Sequence, residues 1–133
     1  MENVGDGSLT YKRVFHGDCS DSQSFEVVVF DKPPQIFTYP SSIALSTFIL
    51  ANSRECIFGK RILELGAGNG LVSLVSAALG AQYVVATDRD DPMILNNLQE
   101  AVAENGASKV VSVLALDWDQ KPEDFFLRLE KEP

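Results

Sequence analysis

Between Arg61 and Leu79 a short apolar run, RILEL, passes through GAGNG directly into LVSLVSAAL. Few folds accept that order. RILEL has the length and composition of a buried strand. The alternating glycines let the chain turn sharply and let a ligand approach the backbone. The stretch Leu71 to Leu79 carries almost no polar group, as expected of a helix buried against a sheet, and Gly80 follows as its C-cap. The pattern then repeats. YVVAT, Tyr83 to Thr87, reads as a second strand; Asp91-Pro92 starts a helix with Ile94, Leu95, Leu98, Ala101 and Val102 inward, closing near Gly106. Val110 to Leu116 reads as a third strand. Two successive βαβ units predict an α/β domain with a Rossmann-like, doubly wound parallel sheet.

The flanks predict less regular structure. Met1 to Thr10 is polar and Gly-rich, expected to fray. Tyr11 to Phe15 reads as a short strand, His16 to Ser24 as turn, and Phe25 to Phe30 as a strand stopped by Lys32-Pro33-Pro34. An N-terminal β-hairpin therefore occupies residues 1–36, ahead of a domain over residues 37–133. Ser41 or Ser42 is expected to cap a helix to about Asn52, burying a stripe of Ile43, Ala44, Leu45, Phe48 and Ile49. The set Phe125, Phe126, Leu127 and Leu129 suits one more short helix.

Ligands of parallel α/β sheets bind at the carboxyl ends of the strands. Three candidate groups fall there: Gly66 to Gly70, Asp88, and Asp117-Trp118. The turn is GxGxG, with Leu71 where a dinucleotide fingerprint would want its third glycine beside a pyrophosphate. A nucleoside cofactor without a phosphate fits better: S-adenosylmethionine needs room for its methionine moiety and a carboxylate nearby, which Glu64 supplies. Asp88 lies about twenty residues past the turn, where an acidic side chain accepts from ribose hydroxyls. The other use of Asp88 is to cap a turn in a solvated charge run. Trp118 suits either packing on adenine, with Asp117 meeting the exocyclic amine, or covering the core. Tyr39 is open in the same way, between core and lid.

Composition narrows the classes. The chain has 133 residues and a formal net charge of −8, which disfavours a phosphate backbone as main partner. Cys19 and Cys56 lie far apart, and with the lone His16 they propose neither a disulfide scaffold nor a metal site. No signal peptide or membrane-spanning run is apparent, so a cytoplasmic chain, or a nuclear one, is expected, with no membrane partner.

RILELGAGNGLVSL, VVATDRD and LALDW, preceded by FTYPSSIALSTFIL, together resemble the seven-β-strand, class I methyltransferases grouped as lysine methyltransferase family 16. The resemblance covers roughly Phe37 to Asp119. It implies S-adenosylmethionine as cofactor and a lysine of a protein as methyl acceptor. It places Gly66, Ala67 and Gly68 along the methionine part, Asp88 on the ribose and Trp118 in the adenine pocket. The family usually has Trp where this chain has Tyr39; an aromatic face is kept. The family's fourth strand, with an acidic residue and a tyrosine near the substrate, has no match, so the fold is incomplete and no catalytic residue is carried over. The strand with the glycine turn is central in such sheets. Without a clear fourth strand its edge is expected to be open to self-association, unless Phe25 to Phe30 or Phe125 to Leu129 covers it. A chain that binds cofactor or a partner without turnover is the alternative.

Overall fold

The structure is a computed structural model; it describes residues 2–4, 8–18 and 24–133. Two three-stranded sheets form. The first is antiparallel, in the order β1 (Glu2–Val4), β2 (Ser8–Gly17), β3 (Phe25–Asp31). The second is parallel, in the order β4 (Arg61–Leu65), β5 (Tyr83–Asp88), β6 (Val111–Ala115). The helices are α1 (Pro40–Ala51), α2 (Ser53–Cys56), α3 (Leu71–Ala78), α4 (Pro92–Glu104) and α5 (Pro122–Leu129).

The alternation of strand and helix gives the parallel sheet as expected. Its order runs one way, so the right-handed crossovers carrying α3 and α4 lie on one face, where both helices also meet β3. Val84 and Ala86 of β5 are fully buried there, against a cluster that includes Leu71, Leu74, Val75 and Leu98. A side chain of this kind contributes about 1.5–3 kcal/mol on full burial. α4 begins as the sequence predicts, with the Asp91 carboxylate accepting from the Met93 N–H at 3.0 Å.

The N-terminal residues depart from expectation. Glu2–Val4 is not frayed but pairs with β2, which runs from Ser8 rather than Tyr11. Met1, residues 5–7 and most of the predicted turn, residues 19–23, lie outside the described residues. The hairpin docks through two asparagines of the α4 segment. Asn105 accepts from the Val28 N–H at 2.9 Å and donates to the Val28 carbonyl, while Asn97 donates to the Phe30 carbonyl at 2.9 Å. These bonds occupy the edge of β3 that β2 leaves free, and Val27 and Val29 join the core of the parallel sheet.

α1 is also corrected. Its N-cap is Tyr39, in extended conformation and without a side-chain bond, because Pro40 takes the first helical position ahead of Ser41 and Ser42. Of the predicted stripe only Ile49 is buried. Small Ser46 makes the other close contact, leaving Ile43, Leu45 and Phe48 exposed. α5 buries Phe125 alone, with Phe126 and Leu127 exposed.

Among the described residues β4 pairs with β5 and nothing else, so its outer edge is open. Neither expected cover pairs with it. β3 belongs to the other sheet, and α5 instead overlooks the far face. There Phe126 and Leu129 flank a cavity of about 620 Å³ with Arg61, Leu63, Tyr83 and Val85. Leu63 and Leu65 point to that face and are exposed. No described helix is long and apolar enough to cross a membrane.

Candidate cofactor site

The turn after β4 is stitched to the end of β5. The Ala67 N–H donates to the Thr87 carbonyl at 2.8 Å, and the Thr87 hydroxyl donates to the Glu64 carbonyl at 2.7 Å. The Gly70 N–H closes the turn on the Ala67 carbonyl at 2.9 Å. Gly68 has φ +57°, and a Cβ placed on it would meet nothing within 4 Å. Its α-carbon therefore faces open space. The glycine is needed for the left-handed backbone and keeps that space clear.

Asp88, half-buried at the end of β5, accepts from the Gly68 N–H at 2.9 Å through Oδ2 and from the Arg89 N–H at 2.8 Å through Oδ1. Each carboxylate oxygen has a second lone pair, so both can still accept from a ligand. Asp88 thus caps the local backbone, as one of the two readings left open by the sequence has it, and it also lines the cleft beside the turn. Asp117 is similar, accepting from the Asp90 N–H at 3.0 Å.

Beside the turn lies a cleft of about 500 Å³ lined by Gly66, Asp88, Arg89, Leu116, Asp117, Trp118 and Asp119. Trp118 is 79% exposed, so it does not cover the core. Its Cζ2 lies 3.8 Å from where a Gly66 Cβ would stand. The structure thus brings Gly66, Asp88, Asp117 and Trp118 to one cleft, with Gly68 bonded to Asp88. Ala67 is buried beneath the turn. Tyr39 does not line this cleft; its ring meets Phe37 edge-on at 6.0 Å. Leu116, Arg89 and Asp119 line the cleft unforeseen, although each flanks a residue picked out at the strand ends.

Glu64 stands at the foot of the turn. Its Oε1 accepts from the Ser73 hydroxyl at 3.3 Å, while Oε2 is buried with no hydrogen-bond partner. Burial, with a smaller contribution from the nearby Asp88 charge and against the Ser73 bond, raises its pKa from 4.5 to about 8. The folded chain therefore holds this proton more tightly than the unfolded one. The stability it contributes is complete below about pH 4.5 and is lost as pH rises through about 8. Glu64→Gln, which cannot ionise, is expected to melt higher than the unsubstituted chain at about pH 9, with the gain shrinking toward pH 5. Thermal melts across that range check it; a gain independent of pH would overturn the assignment.

A sequence profile described as lysine methyltransferase matches residues 36–131. The chain belongs to this family. Among individual members, it is 42% identical over 79 residues to the protein N-terminal and lysine N-methyltransferase efm7 of Schizosaccharomyces pombe, covering 58% of this chain and 31% of that protein. It is 37% identical over 86 residues to the mouse protein-lysine methyltransferase METTL21E, covering 62% of this chain and 34% of that protein. The chain thus spans about a third of the length of the curated relatives it matches. In fold it is similar to Pyrococcus horikoshii TYW2, solved in complex with MeSAdo. That similarity has a TM-score of 0.59 at 20% identity, covering 72% of this chain and 35% of that one. It bears out the Rossmann-like class.

Proposed function

We propose that the chain is the cofactor-binding part of an S-adenosylmethionine-dependent protein-lysine methyltransferase. The observation that carries the cofactor reading is the sign of the cleft. Asp88, Asp117 and Asp119 line it against the single cation Arg89. Such a cleft favours a ligand with an ammonium and a sulfonium over one with a pyrophosphate. Glu64, at the foot of the turn, lies outside that lining, and its pairing with the ligand's ammonium is part of the proposal. Gly66 to Gly68 would border the methionine part, Asp88 would accept from ribose and Trp118 would pack on adenine.

Bound S-adenosylmethionine supplies an electrophilic methyl group, attacked in line by an amine. This chain's residues contribute orientation and exclusion of water. No described residue is assigned to deprotonating the acceptor amine. A lysine on a protein is the acceptor that the family supports, and a cytoplasmic or nuclear location accords with it. Isothermal titration with S-adenosylmethionine, its demethylated product and NAD tests the reading. Binding of the first two in preference to NAD is expected; equal or tighter NAD binding would overturn it.

A second reading, binding without turnover, is favoured by the open edge of β4 and the exposed Leu63 and Leu65 beside it. Unpaired backbone groups next to apolar side chains are a template for another chain. Size-exclusion chromatography with light scattering is therefore expected to show concentration-dependent association, reduced by Leu63→Lys. A monomer at all concentrations that methylates protein at an ordinary enzymatic rate would remove both expectations.

A further inference from the structure

The middle of the glycine turn is held from a distant part of the chain. Asn69 is 2% exposed and Asp31, the last residue of β3, is 4% exposed. Asn69 Nδ2 donates to Asp31 Oδ1 at 2.9 Å and approaches Thr38 Oγ1 at 2.7 Å, and the Thr38 hydroxyl itself donates to Asp31 Oδ1 at 2.8 Å. Asn69 Oδ1 accepts from the Leu71 N–H at 3.3 Å, the first residue of α3. On its other side Asp31 Oδ2 accepts from Arg13 Nε at 3.1 Å, an exposed guanidinium on β2. Every polar atom of the Asp31 carboxylate is thus used, and the bonds run from β2 through β3 and the segment before α1 into GAGNG.

We propose that Asp31 is a positioning residue for the cofactor: through Asn69 it fixes the conformation of the turn whose backbone borders the ligand. The proposal rests on the cofactor reading above. A buried carboxylate shared by an amide and a hydroxyl allows one arrangement of the three. Asn69 lies between Gly68 and Gly70, two residues whose backbones would otherwise be the freest in the turn. The antiparallel sheet therefore reaches the site without touching the ligand.

The test compares affinity for S-adenosylmethionine by calorimetry in the full chain, at a temperature where every variant is folded. Asp31→Ala and Asn69→Ala are each expected to weaken binding about tenfold, and the double variant no further, since both break one contact. Asp31→Asn keeps an oxygen for Asn69 and Thr38, while exposed Arg13 can turn to solvent. It should stay within about threefold. A merely structural Asp31 would lower the melting temperature and leave affinity unchanged; that result, or losses that multiply in the double variant, overturns the proposal. Should Asp31→Ala not fold, Thr38→Val, which removes one hydroxyl from the cluster, carries the same comparison. If the unsubstituted chain does not bind S-adenosylmethionine, the cofactor reading falls and amide hydrogen exchange decides this one. Faster exchange at Gly68 and Gly70 in Asp31→Ala keeps the clamp, and unchanged exchange removes it.

Discussion

Gly68→Val is expected to reduce binding of S-adenosylmethionine more than a hundredfold, below detection by calorimetry. Two effects add. The backbone there has φ +57°, which costs a side-chain-bearing residue about 1–2 kcal/mol and a β-branched one more. The branched side chain also projects into open space, with nothing within 4 Å of its Cβ, where the ligand would lie. Gly68→Ala separates them: it carries most of the backbone cost and little of the bulk, and should bind measurably. Undiminished affinity in folded Gly68→Val would move the ligand away from this turn.

Asp88→Ala is expected to weaken the same binding about ten- to a hundredfold, the loss of a charge-assisted hydrogen bond worth about 1.5–3 kcal/mol. The chain should still fold, because the Ala67–Thr87 and Gly70–Ala67 bonds hold the turn independently. The Gly68 N–H loses its acceptor, so a modest fall in melting temperature is expected as well. Asp88→Asn keeps one oxygen for the Gly68 N–H and loses the charge, which makes it the informative control. If Asp88→Ala lowers the melting temperature and leaves affinity untouched, the residue serves the backbone alone.

Much of this was legible because it is local. RILEL, GAGNG and LVSLVSAAL each announce their conformation within a few residues, and the order of strands and helices then puts Gly66, Asp88 and Trp118 at one edge. The Asp91-Pro92 helix start is local too. What sequence could not convey is partnership over distance. A stripe such as Ile43, Leu45 and Phe48 says which side of a helix is apolar, not whether anything covers it, and α1 leaves it exposed. Asp31 and Asn69 are thirty-eight positions apart, and neither residue type is unusual where it stands. Asn97 of α4 and Asn105 at its C-cap went unremarked in the sequence; they are the hydrogen bonds that tie this segment to the hairpin. The strand at Glu2–Val4 was hidden for the opposite reason: Glu2 and Asn3 are poor strand formers, and the segment pairs because β2 offers an edge.

The chain contains a single tryptophan, and its indole stands 79% exposed at the lip of the cleft. Its tryptophan emission therefore has one source, in the cleft proposed to hold adenine. Excited at the red edge of protein absorption, the molecule reports on that cleft and on little else. An unlabelled stopped-flow trace can then time the arrival and departure of the ligand, giving rates where calorimetry gives only equilibria. The eight phenylalanines and three tyrosines spread through the rest of the chain leave that signal uncontaminated.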